Sequence, residues 1–220
     1  LVDLAIERVR AVTDAVAVNV HHGRDALVDH LGDEVHLSIE EDRALGTAGA
    51  LGALRRWIDG RPTVVVNADA WCDGGLDRLT AGWNGETIRL LMPGGGPFGP
   101  TSRLAGALMP WSEIEPFPAE PSGLFELSWR RAAEEDRIEV VSYDGAFVDC
   151  GTPAQYLEAN LAASGGRSVI GPGATVEGTV ERSVVWAGAQ VRVGERLVDA
   201  VRTTGGATVL VRPSPAVARN

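Results

Sequence analysis

The feature that most constrains this chain is Arg61-Pro62-Thr63-Val64-Val65-Val66-Asn67-Ala68-Asp69. Three valines in a row, entered through Gly60 and Pro62, read as a short, fully buried strand inside a parallel sheet. Open α/β sheets bind ligands beyond the carboxyl ends of such strands, and Asp69 stands at that end. A carboxylate there either closes the strand as a turn or cap, or holds a cation.

The flanking segments alternate in type at short spacing. Leu1, Leu4, Ala5, Val9 and Val12 recur at helical spacing, 15–20 is an apolar strand, 25–31 a helix and 35–39 a second strand. An Ala/Leu-rich helix over 45–54 opens with Gly46-Thr47-Ala48-Gly49. Further on, the pattern predicts a helix at 76–83, a strand at 87–92, a Gly/Pro-rich loop at 93–100 and a strand at 103–109. A helix at 123–133 and a strand at 137–143 come next, and Asp144-Gly145 signals a hairpin returning into 146–148. Thr152 and Pro153 suit the N-cap and first position of a helix that runs to Ala163. Alternating elements of this kind predict a layered α/β domain over 1–163.

Ser164-Gly165-Gly166 breaks the pattern, and 164–220 reads as a separate appendage. There Gly173-Ala174-Thr175-Val176 is echoed by Gly188-Ala189-Gln190-Val191, with Ile170 or Val185 six residues before each valine and Leu197 continuing the step. Small residues at turns and an aliphatic every sixth position predict a short triangular β-helix. A final strand is expected from Val209 onward.

Composition narrows the function. The chain has 220 residues, a net charge of −10, and 20 basic residues that are all arginine. An acidic surface argues against nucleic acid or an anionic membrane as the main partner. Without lysine, no side-chain ammonium is available for catalysis or phosphate binding. Cys72 and Cys150, far apart, suggest a reducing compartment, and a cytoplasmic location is expected.

Two constellations could carry chemistry. The Gly46–Gly49 segment lets a flat ligand approach backbone, and its amides can donate to it. Asp149, before Gly151-Thr152-Pro153, is a second carboxylate at a strand end. Two carboxylates converging from separate strands can share a hard divalent cation that also binds phosphate oxygens. His21 and His22, adjacent on a strand, would point to opposite faces and do not chelate together.

In order, Ser38-Ile39-Glu40-Glu41, Leu45-Gly46-Thr47-Ala48-Gly49-Ala50-Leu51, Val64-Val65-Val66-Asn67-Ala68-Asp69 and Val148-Asp149-Cys150-Gly151-Thr152-Pro153 with Tyr156-Leu157-Glu158-Ala159-Asn160 resemble the sugar-phosphate nucleotidylyltransferase family. Such enzymes join a nucleoside triphosphate to a sugar 1-phosphate, releasing pyrophosphate. The resemblance implies a Rossmann-like α/β domain followed by a left-handed β-helix. It also implies that Gly46, Thr47, Ala48, Gly49 and Asn67 bind the nucleotide, and that Asp69 and Asp149 bind Mg2+. Phe98-Gly99 and Ala105-Gly106 resemble the stretches beside the sugar, which makes Gly99 and Gly106 candidate substrate contacts. The Leu-Gly-Thr-Ala-Gly-Ala run is nearest the guanylyltransferase branch, with mannose 1-phosphate as the typical acceptor.

The family's N-terminal strand, its Gly-rich, Arg-containing phosphate loop and the following Lys-Pro have no counterpart here, nor does the later Glu-Lys-Pro. The expectation is that the native protein carries the first of these upstream of Leu1. Arg103 is the candidate that replaces the lost cations at the phosphates. Two rivals remain: a non-catalytic regulatory homologue that binds an NDP-sugar, and an acyl-transfer module. No histidine follows residue 36 to serve the latter as a base. Association into homo-oligomers through the C-terminal coils is also expected.

Overall fold

The computed structural model describes residues 1–211. In chain order its elements are α1 (Val2–Arg10), β1 (Ala17–Val20), α2 (Arg24–Leu31), β2 (His36–Ile39), α3 (Gly46–Ile58), β3 (Thr63–Val65), β4 (Ala70–Cys72), α4 (Asp77–Thr80), β5 (Ile88–Pro93), β6 (Gly106–Met109) and α5 (Trp111–Ile114). A π-helical turn, Phe125–Trp129, runs into α6 (Arg130–Glu134), followed by β7 (Ile138–Tyr143), β8 (Phe147–Asp149) and α7 (Pro153–Ala163). Short strands complete the chain: β9 (Val169–Ile170), β10 (Thr175–Val176), β11 (Thr179–Glu181), β12 (Val184–Val185), β13 (Gln190–Val191), β14 (Arg196–Val198), β15 (Ala200–Arg202) and β16 (Thr208–Leu210). The strand expected from Val209 is therefore β16, and its continuation past residue 211 lies outside the described residues. The chain divides into two compact units, one of residues 1–68 with 74–146, the other of 69–73 with the chain from Phe147 onward.

The first unit is mixed α/β. Its main sheet has the order β3-β6-β5-β7, with β5 parallel to β7 and antiparallel to β6. β1 and β2 form a separate parallel pair. β5 is apolar on both faces because both are covered. Ile88, Leu90 and Met92 join Ala48, Leu51, Leu54 and Ile58 of α3, with Ala107, Met109, Phe117 and Trp129, in the principal core. On the other face, buried Arg89 pairs with Glu139 at 3.0 Å and donates to the carbonyls of Leu79 and Ala81 at the end of α4, so its charge is fully met.

Three expectations are corrected here. The valine strand at 62–66 is the half-buried, three-residue β3, and it pairs antiparallel with β6 at the margin of the sheet. Asp144-Gly145 does not close a hairpin, since β7 takes β5 and β8 takes β4 as partner. The helix expected at 76–83 is only one turn, because the chain leaves α-geometry at Ala81 and turns through Gly82 at positive φ.

In the second unit β4 and β8 form an antiparallel ladder. The Thr152 hydroxyl accepts from the Gln155 amide, and Pro153 opens α7, as its local sequence predicts. Beyond α7 the strands form separate small sheets: β9-β12-β15 in parallel, continued by antiparallel β16, and the parallel pairs β10-β13 and β11-β14. Leu157 and Leu161 of α7 pack on Val184 and Val201, while Val185, Ala189, Val191, Leu197 and Ala200 form a second cluster. Of the six-step aliphatics, Val185, Val191 and Leu197 are buried, whereas Ile170 and Val176 are 45% and 39% exposed.

At β15 the interior position falls to Arg202, which is buried and bonds Glu195, the Gln190 carbonyl and the Thr208 hydroxyl. The hydrogen bond from Arg202 holds the Glu195 carboxyl below its ordinary range. A depressed carboxyl contributes stability above its unfolded value, and the contribution is lost as pH falls through the folded one. Thermal unfolding followed from pH 7 downward should show this loss below about pH 4.3, the ordinary glutamate value. Glu195→Gln should flatten that part of the curve.

α3 carries a second constraint. A Cβ built on Gly46, Gly49 or Gly52 would lie 2.7, 2.2 or 2.3 Å from the carbonyl oxygens of Ser122, Glu120 and Pro118 respectively. The 117–122 segment thus lies with its backbone directly on the helix, a packing that needs the bare glycine face. Gly52→Ala should destabilise the chain by about 1–3 kcal/mol, the usual range for overpacking, read as a lower urea midpoint.

Candidate functional site

The two acidic strand ends meet in the second unit. In the β4–β8 ladder Ala70 is opposite Asp149, and the Cys150 amide donates to the Asp69 carbonyl at 2.8 Å. Asp69 sits in the turn that leads into β4, and Asp149 ends β8; both are exposed. The Asp149 carboxylate also accepts from the Gly151 amide at 3.3 Å, which closes the turn into Thr152 and α7. Cys150 lies between the two acids. Burial first, and then the charges of Asp149 and Asp69, push its thiol up from the ordinary value, partly countered by a hydrogen bond from Trp71.

This donor set suits a small hard cation. Mg2+ is commonly held by one or two carboxylates, with substrate phosphates and water filling the other positions. Among the described residues no group of three or more His, Cys, Asp or Glu side chains gathers to form a closed cage. A pair of carboxylates with open positions is what a phosphate-bound cation needs.

The remaining candidates belong to the first unit. Gly46 and Thr47 are exposed at the start of α3, while Ala48 and Gly49 are buried beneath the 117–122 segment. The Ala48 amide donates to the Ser122 carbonyl at 3.1 Å, and the Ser122 amide to the Leu45 carbonyl at 2.9 Å. Of the four, only Gly46 and Thr47 therefore present backbone to solvent. Asn67 is exposed after β3. Gly99 and Ser102 close the tip of the β5–β6 loop, the Gly99 amide donating to the Ser102 hydroxyl at 2.9 Å. Phe98 in that loop packs on the α3 core, against Phe125 and Trp129. Arg103 follows, exposed. Gly106 is buried in β6, where a Cβ would lie 3.0 Å from Leu76 and 3.1 Å from Leu79, so close packing accounts for a glycine there.

One residue without an assigned role is prominent. Glu40, 5% exposed, accepts from the Leu45 amide at 2.9 Å and from the Asn19 side-chain amide at 3.0 Å. A lone glutamate just after a strand gives no local sign of burial. The signal would have been the need of a helix lacking a side-chain cap for an acceptor at its start.

The Cys150 thiol offers a readout of the acidic pair. Neutralising Asp69 and Asp149 to Asn should lower the thiol pKa and speed its alkylation at pH 8. Millimolar Mg2+ should do the same in the parent chain and not in the double variant, with labelling followed by mass spectrometry.

No family model matches the chain, and no curated protein matches its sequence. Solved structures do. A structure described as mannose-1-phosphate geranyltransferase from Thermus thermophilus is 14% identical with a TM-score of 0.66, covering 96% of this chain and 84% of that one. HddC from Yersinia pseudotuberculosis, complexed with GMP-PN, is 15% identical with a TM-score of 0.55, covering 71% and 82%. UDP-glucose pyrophosphorylase from Acinetobacter baumanii is 13% identical, again at 0.55, covering 73% and 80%. No helix among the described residues is long and apolar enough to cross a membrane. At these identities the likeness is one of fold, and the chain has the mixed α/β architecture of these proteins.

Proposed function

We propose that this chain belongs to an enzyme that transfers a nucleotidyl group from a nucleoside triphosphate to a sugar 1-phosphate. The observation that carries the reading is the β4–β8 ladder, which sets Asp69 and Asp149 about one thiol. It is supported by the fold shared with structures described as acting on mannose 1-phosphate and UDP-glucose. The Leu45–Leu51 run and the GMP-PN complex of one neighbour favour GTP and mannose 1-phosphate as the pair.

In this reaction an oxygen of the sugar phosphate attacks the α-phosphorus in line. The new phosphorus–oxygen bond forms as the bond to the β-phosphate bridge breaks, and pyrophosphate leaves. Catalysis is then mainly positioning and neutralisation of charge. Asp69 and Asp149 would hold Mg2+, which supplies positive charge at the phosphates when bound. Gly46 and Thr47 donate backbone N–H groups to the base, with Asn67 on the nucleotide. Gly99 and Gly106 belong to the stretches beside the sugar, and Arg103 takes the place of the missing lysine at the phosphates. In this reading 1–163 is the catalytic part. The ladders of 164–220 are faces of one short left-handed β-helix, through which copies of the chain associate.

The test is pyrophosphate release with a panel of triphosphates and sugar 1-phosphates in the presence of Mg2+. Turnover is expected, best with GTP and mannose 1-phosphate. Asp69→Asn should lower kcat by roughly 10²-fold or more, the scale for losing one preorganised electrostatic group, with the melting temperature unchanged. Binding of an NDP-sugar without pyrophosphate release under any condition would favour the regulatory homologue instead.

A further inference from the structure

We infer that Glu40 is a positioning and specificity residue, one that makes the start of α3 a seat for a neutral nucleobase and not for a phosphate. The inference rests on the reading of Gly46 and Thr47 as nucleotide contacts. A helix start has four amides without intrahelical partners, and they carry about half a positive charge. Ordinarily that is an anion site. Here the Glu40 carboxylate, buried at 5% exposure, already takes the Leu45 amide at 2.9 Å. Ser122 takes the Ala48 amide at 3.1 Å. The two exposed residues between them, Gly46 and Thr47, keep their N–H donors while the helix charge is offset by a fixed negative group.

Glu40 is itself held on every side. Its amide donates to the Val20 carbonyl at 2.9 Å, its carbonyl meets His21 Nδ1 at 2.8 Å, and its second carboxylate oxygen accepts from Asn19 at 3.0 Å. It therefore links the ends of β1 and β2 to the first residue of α3, and fixes where the Gly46 and Thr47 donors point. A phosphate brought to those donors would meet the buried carboxylate and be repelled. A base carbonyl or ring nitrogen accepts the same N–H groups without that cost. The geometry selects an uncharged acceptor.

Two variants of the full chain separate the parts of this role. Glu40→Ala removes both the anchor and the charge. Glu40→Gln removes the charge and keeps an oxygen for the Leu45 amide, with Asn19 able to turn its own oxygen toward the new NH2. Calorimetry with the five common nucleosides and with tripolyphosphate reads base and phosphate affinity independently of turnover. Glu40→Ala should weaken the preferred nucleoside about tenfold or more, and raise KM for its triphosphate similarly with kcat within about twofold. Glu40→Gln should leave nucleoside affinity within about threefold and tighten tripolyphosphate.

Unchanged nucleoside affinity in Glu40→Ala overturns the inference, as does equal weakening of nucleoside and tripolyphosphate. If Glu40→Ala does not fold, Glu40→Gln decides alone: tighter tripolyphosphate at constant nucleoside affinity upholds it, and any other pattern overturns it. Nucleoside binding by a parent chain that releases no pyrophosphate would sink the transferase reading and leave Glu40 standing. A parent that binds no nucleoside overturns both.

Discussion

A helix can lie against bare backbone only where its facing residues carry no side chains, and α3 meets the 117–122 segment in that way. Gly46, Gly49 and Gly52 are spaced to fall on one face, and carbonyl oxygens of the segment occupy the space their side chains would fill. The opposite face of the same helix supplies Leu51, Leu54 and Ile58 to the core over β5 and β6. One helix therefore joins the main sheet to the segment beyond α5. It also fixes which of its amides are spent within the chain and which face outward.

The acidic pair depends on a different arrangement. Residues 69–73 leave the first unit, pair with β8, and return. The ladder is short, but it places two carboxylates from distant parts of the sequence about the Cys150 thiol. Neither carboxylate is buried. They can thus remain charged without partners inside the protein, at little desolvation cost, and wait for a cation that arrives with its phosphate.

The legible part of the sequence is mainly its local part. Thr152-Pro153 caps α7 because the capping hydroxyl reaches an amide three residues on. The Ala/Leu-rich segment is a helix because its apolar spacing admits little else. The valine run announces a strand, but burial by β-branched residues says nothing of partner or direction, and β3 pairs antiparallel at a margin. Asp144-Gly145 announces a turn, yet a turn does not oblige the strands beside it to pair with each other. The glycines that open α3 suggest room for a ligand when taken alone. Their spacing of three is the sign of close packing, and the chain that fills the space arrives only after β6 and α5. In the C-terminal strands the six-residue step locates Val185, Val191 and Leu197 correctly in the interior. Ile170 and Val176 share the step but stand in β9 and β10, which have a paired neighbour on one side only among the described residues.

The excursion of β4 also bears on how the chain reaches its native state. During synthesis β4 emerges well before β8, so its ladder hydrogen bonds stay unmade while most of the first unit can already assemble around α3 and β5. The second unit has no contiguous gene segment of its own: a fragment beginning at Phe147 would lack the strand that β8 pairs with. Closing that ladder is a late, long-range event, and the acidic pair comes into being only with it. Capacity for a cation at this ladder is thus a property of the finished chain, and no earlier folding intermediate can possess it.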